Sequence, residues 1–68
     1  MMLNYSSSSI LQGVVRDAFG RVLAKTTLPP DKNGMHVFEL TDFPEGVLYL
    51  QVFREGEIMF SEKMVVIH

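Results

Sequence analysis

From Val47 to Arg54 the chain reads VLYLQVFR, and from Glu57 to His68 it reads EIMFSEKMVVIH, with only Glu55 and Gly56 between. The first run is apolar on both alternating faces, Leu48, Leu50 and Val52 on one, Val47, Tyr49 and Phe53 on the other. A strand of that kind is central in a sheet, or a neighbour buries its second face. Two extended runs joined by two residues form a β-hairpin, because so short a loop suits the tight primed turns. This hairpin supplies much of whatever core the chain can build, so its role is structural first.

The rest of the chain reads as further strands. Residues 10–17, ILQGVVRD, place Leu11, Gly13 and Val15 on one face of a strand. Asp17 to Gly20 make a turn, with Gly20 suited to a positive φ. Residues 21–27, RVLAKTT, return as a second strand, and Pro29 and Pro30, lacking amide donors, stop its ladder. Lys32–Gly34, KNG, is a turn signal, since Asn and Gly both tolerate left-handed geometry. Residues 35–40, MHVFEL, predict a third strand with Phe38 and Leu40 on one face. In the corner DFPEG, Phe43 is placed to plug the core end, Pro44 fixes φ and Gly46 turns the chain. Residues 1–9, with Ser6–Ser9, have little to bury and read as a flexible arm or partial strand. Gly and Pro interrupt the chain too often for helices. Five to six strands in hairpin succession, roughly 8–12 residues apart, predict an all-β fold, a small antiparallel β-sandwich over residues 10–68.

At 47% hydrophobic and 21% charged residues the composition is that of a globular chain. A domain this short buries only about 60% of its unfolded surface, so it leans on a staple or a partner. There is no cysteine, which removes disulfides and thiolate metal sites. A small open sandwich also leaves sheet edges unpaired. The expectation is that the Ser-rich arm or a second copy covers one of them, giving a homodimer through an open edge. The net charge of -2 comes from eight acidic and six basic side chains that intersperse along the chain. No basic stripe is visible to neutralise phosphates, so no nucleic-acid partner is expected. No apolar run approaches the ~20 residues a membrane span needs, so no membrane insertion is expected. The start, MMLNYSSSSI, has neither a basic n-region nor an apolar core of roughly 7–15 residues, so no signal peptide is expected in this chain.

Chemistry is sparse. His36 and His68 are the only imidazoles, far apart and without ligand spacing, which disfavours zinc. His36 is expected on a solvated strand face and His68 at a fraying end. Glu55, Glu57 and Glu62 flank the hairpin turn, where acids serve solubility, and a glycosidase pair would need a cleft. There is no G-x-S-x-G elbow and no glycine-rich phosphate loop before a helix. Asn4–Ser6 fits the N-glycosylation triplet, which matters only in a eukaryotic secretory setting. Met1, Met2, Met35, Met59 and Met64 serve as start and core filler. Tyr49 and Phe53 would stack on a sugar or peptide if their face were open; otherwise they meet a second sheet or a dimer partner. The expectation is a protein that is not an enzyme, with no cofactor and no metal.

The order of motifs resembles the type A C-terminal sorting domain of the Bacteroidota type IX secretion system. The resemblance rests on VVRDAFGRVL (Val14–Leu23), ELTDFPEGVLYLQV (Glu39–Val52) and SEKMVVIH (Ser61–His68), in the family's order across residues 10–68. The Asn-Pro-containing segment and further strands that open family members do not occur in these 68 residues, which implies a domain lacking its N-terminal strands. The resemblance implies an immunoglobulin-like sandwich that acts as a secretion label for an attached cargo. Its implied partners are translocon components, and its route runs from the periplasm to the outer-membrane surface or medium as part of a longer precursor. Matched positions are Asp17 and Gly20 in the turn, Leu40, Phe43, Pro44 and Gly46 in the corner, and Lys63, Met64, Val65, Val66 and Ile67 in the final strand. In the family that last stretch is the part most tied to recognition, and strand addition at an exposed edge would suit it. GVVRDAFGRVL and FPEGVLYL also resemble a carboxypeptidase-regulatory-like or transthyretin-like accessory sandwich, which would imply a binding or scaffold role.

Overall fold

A computed structural model describes all 68 residues. Six strands form: β1 (Met2–Ser7), β2 (Leu11–Asp17), β3 (Val22–Leu28), β4 (Asp31–Val37), β5 (Gly46–Arg54) and β6 (Glu57–Val66). A single 3-10 turn, Leu40–Asp42, lies between β4 and β5. One sheet has four strands in the order β3-β2-β5-β6, and the other pairs β1 with β4. All pairings are antiparallel. The all-β, two-sheet expectation holds.

The expected succession of hairpins does not. Only β2–β3 and β5–β6 are sequential pairs; β1 joins β4, and β2 joins β5. Pro29 and Pro30 explain the break. Neither can donate to a ladder, so the chain leaves the four-stranded sheet after Leu28 and enters the other one at Asp31. Residues 1–9 also contribute a paired strand, Met2–Ser7, ahead of a turn in which the Ser7 hydroxyl donates to the Ser9 carbonyl at 2.7 Å.

The KNG stretch is no turn. Asn33 and Gly34 lie inside β4, which ends at Val37 instead of Leu40. Gly34 sits directly across from Tyr5, and a Cβ there would land within the Tyr5 ring. This glycine therefore permits a close approach between strands, the other use of a missing side chain. The Tyr5 hydroxyl then reaches over to donate to the Pro29 carbonyl at 2.7 Å.

The facing sides of the sheets make the core. Leu11 and Val15 from β2, Leu28 from β3, Leu48, Leu50 and Val52 from β5 and Val66 from β6 meet Leu3 and Phe38. Phe43 closes one end, as its corner position predicts. At about 4.8 Å per strand, two strands cover only half the width of four. The uncovered part is the Arg54 end of β6, where Phe60 faces inward opposite Val52 yet stays 38% exposed. Tyr49 and Phe53 occupy the outer face of the four-stranded sheet, so they meet no second sheet; both are half-buried. Tyr49 stands between Arg16 and Lys63 on the neighbouring strands.

The census of backbone bonds reflects the open edges. There are 34, where a chain of this length would ordinarily carry roughly 45–50. Four of the six strands have a side with no partner, and those sides account for the shortfall.

Candidate interaction surface

Asp17 ends β2 with its carboxylate turned back into the following turn. One oxygen, Oδ1, accepts the Phe19 and Arg21 amides, each at 2.9 Å, and Oδ2 accepts Arg21 Nε. The Gly20 amide donates to the Asp17 carbonyl at 3.0 Å, with Gly20 at φ 84°. The positive φ expected at Gly20 is present. Asp17 is buried, and burial works against its charge, but the bonds from Arg21 and Phe19 and the Arg21 guanidinium outweigh it. They hold the carboxyl below its ordinary value.

That depression has a sign. Its stabilisation is fully present above the unfolded-state value near 3.8 and is lost as pH falls through the folded value. Thermal melts of wild type and Asp17→Asn between about pH 5 and pH 2 are therefore expected to converge in acid. A gap that stays constant over this range would show that the charge contributes nothing.

The corner is built by the 3-10 turn. The Asp42 amide donates to the Glu39 carbonyl and the Phe43 amide to the Leu40 carbonyl, both at 3.1 Å. This aims Phe43 into the core and leaves Pro44 and Glu45 on the surface. Gly46, at φ 129°, then starts β5 in register with Val66.

His68 does not fray. Its Nε2–H donates to the Phe43 carbonyl at 2.7 Å and its amide to Glu45 Oε1 at 2.8 Å. Sequence reasoning missed both partners, because residues more than twenty positions apart carry no local signal of contact. His36, expected on a solvated face, lies on the core side of β4, half-buried, with its ring edge-on to Phe38 at 4.6 Å between centroids.

These pieces converge at one end of the sandwich. The Asp17–Arg21 turn and the Pro44–Gly46 corner line one shallow cleft of about 230 Å³, and His68 clasps the corner beside it. The last strand divides by alternation. Val66 is buried and Met64 half-buried against the core, whereas Lys63, Val65 and Ile67 are exposed, the last two at 62% and 83%. Of the residues from Lys63 to Ile67, only these three are exposed to a partner. Phe19, 87% exposed with the Arg21 guanidinium 6.0 Å from its ring, extends the same end. The free side of β6 has no neighbouring strand.

No group of three or more acidic, histidine or cysteine side chains is placed to hold a metal ion. No helix is long and apolar enough to cross a membrane. Comparison with protein-family models, curated proteins and solved structures finds no match to this chain.

Proposed function

We propose that this chain is a non-catalytic sorting domain, an immunoglobulin-like β-sandwich that directs an attached cargo through the type IX secretion machinery to the cell surface. The observation that carries the reading is convergence. Three stretches whose order resembles that of a sorting domain, far apart in sequence, meet at one end of the molecule beside an unpaired edge strand. A label needs a displayed surface and no reaction pocket, and that end offers exposed Lys63, Val65 and Ile67 on a rigid support. In this reading the partner is a translocon component that adds a strand to β6 and reads those three side chains. Met64 and Val66 act from within, by holding the strand to the core. The setting is the periplasm and then the outer-membrane surface, within a longer precursor.

The test is a reporter with its own signal peptide, fused ahead of residues 1–68, in a type IX-competent bacterium and in a translocon-deficient strain. Surface or medium delivery is expected only in the competent strain. Val65→Asp is expected to reduce it sharply, and Thr27→Ala, exposed on β3 away from that end, is expected to leave it intact. A reporter held in the periplasm of both strains, while an established sorting domain exports it, defeats the reading.

A further inference from the structure

The lid of the sandwich has two strands over a floor of four, and the gap has a definite place. β1 has β4 on one side and nothing on the other. Met1 and Phe38 exchange both backbone bonds, Met1 N to Phe38 O and Phe38 N to Met1 O, each at 2.7 Å. Bonded pairs alternate along an antiparallel ladder. Leu3 and Tyr5 therefore bond β4, and the backbone groups of Met2 and Asn4 point toward the free side.

Below that free side runs a groove of about 350 Å³, between Asn4 and Ser6 on one wall and Val52, Arg54, Met59 and Phe60 on the other. It lies at the opposite end of the sandwich from the corner. A bulge lies on its β6 wall: Val52 pairs with Phe60 and Phe53 with Ile58, which leaves Met59 as the extra residue. A bulge sets two consecutive side chains against one partner, and here it brings Met59 into the groove beside Phe60. They remain 44% and 38% exposed. Arg54, at the mouth, has no counter-ion, since Arg21–Asp17 is the chain's single ion pair.

We propose that this groove receives one extended strand of a partner polypeptide. The strand adds to the free edge of β1, seats apolar side chains on Val52, Met59 and Phe60, and brings a carboxylate to Arg54. A row of unpaired backbone groups is met along its length only by another backbone, and the unshielded cation selects an acidic neighbour. Within these 68 residues no segment is free to fill it. Every strand is already paired, and the longest stretch outside strands, residues 38–45, is tied down by buried Phe38 and Phe43. This site is separate from the corner and from the outer side of β6, so it stands whether or not the sorting reading holds.

The probe is an acetylated peptide of alternating valine and threonine with an aspartate at each end, titrated into the full 68-residue chain and followed by amide NMR. A matched peptide carries lysine at each end. Saturable shifts are expected at Asn4, Val52 and Phe60 with the aspartate peptide. Asn4→Pro is expected to weaken binding about tenfold, the loss of roughly one hydrogen bond, with the melting temperature retained, because that amide bonds nothing in β4. Arg54→Glu is expected to reverse the preference toward the lysine peptide. If Asn4→Pro lowers the melting temperature, Met59→Glu replaces it as the blocking variant. The proposal is overturned by absent or unsaturable binding, by shifts confined to the outer side of β6, or by blocking variants that bind as wild type does. It is equally overturned if sedimentation shows a dimer that occludes the β1 edge, which would make a second copy the occupant.

Discussion

Leu50→Ala is expected to lower the melting temperature by roughly 10–30 °C, enough to leave the protein largely unfolded at physiological temperature. Leu50 lies in β5, one of the two strands with neighbours on both sides, and is 1% exposed in a core cluster that also holds Val15, Leu3 and Phe38. Truncating a buried leucine removes its transfer free energy and leaves a cavity, together about 2–5 kcal/mol. A chain of 68 residues has in total only about 3–10 kcal/mol of stability, so one such loss consumes much of it. Each kcal/mol moves the transition of so small a domain by about 4–8 °C. Circular dichroism melts against Val47→Ala, on the outer face of the same strand, provide the check. Equal effects at the two positions would mean that the faces of β5 are assigned wrongly.

Gly34→Ala is expected to be the most damaging conservative change on β4. Its new methyl group would occupy the space of the Tyr5 ring, so either the ring swings out or β1 separates from β4. Overpacking of this kind costs about 1–3 kcal/mol. Swinging the ring out would also sacrifice the Tyr5 bond to Pro29. Tyr5→Ser should tolerate the alanine far better than wild type does, so the pair should show positive coupling in a double-mutant cycle measured by urea unfolding. Strictly additive effects would show that the ring and the glycine do not depend on each other.

Gly34 also marks where local reading of the sequence stopped working. β2, β3, β5 and β6 were legible because each alternates apolar residues between recognisable turns. At Glu55 and Gly56 both φ angles are positive, 51° and 80°, as a two-residue hairpin loop requires. β1 and β4 were not legible in the same way. MLNYSS is too polar to announce a strand, and KNG in isolation favours a turn; what makes them strands is each other, across thirty residues of chain. The same limit applied to the surface. The polar turn at Asp17 and the plug at Phe43 could be read from their residues. The clasp of His68 on Phe43 and Glu45, and the bulge that turns Met59 inward, depend on pairings that no short window contains.

The cross-sheet pairing has a temporal consequence. Gln12 pairs with Phe53 and Met2 with Val37, so neither sheet can close until its distant half exists. At a synthesis rate of about 5–20 residues per second, the opening strand segments wait roughly two to eight seconds for their mates. Through that interval β2 has only β3 beside it, and its other edge is open to capture by any chaperone that binds unpaired strands. The β2–β3 hairpin and the β1–β4 pair have all their residues by Val37, so it is β5 that the four-stranded floor waits for.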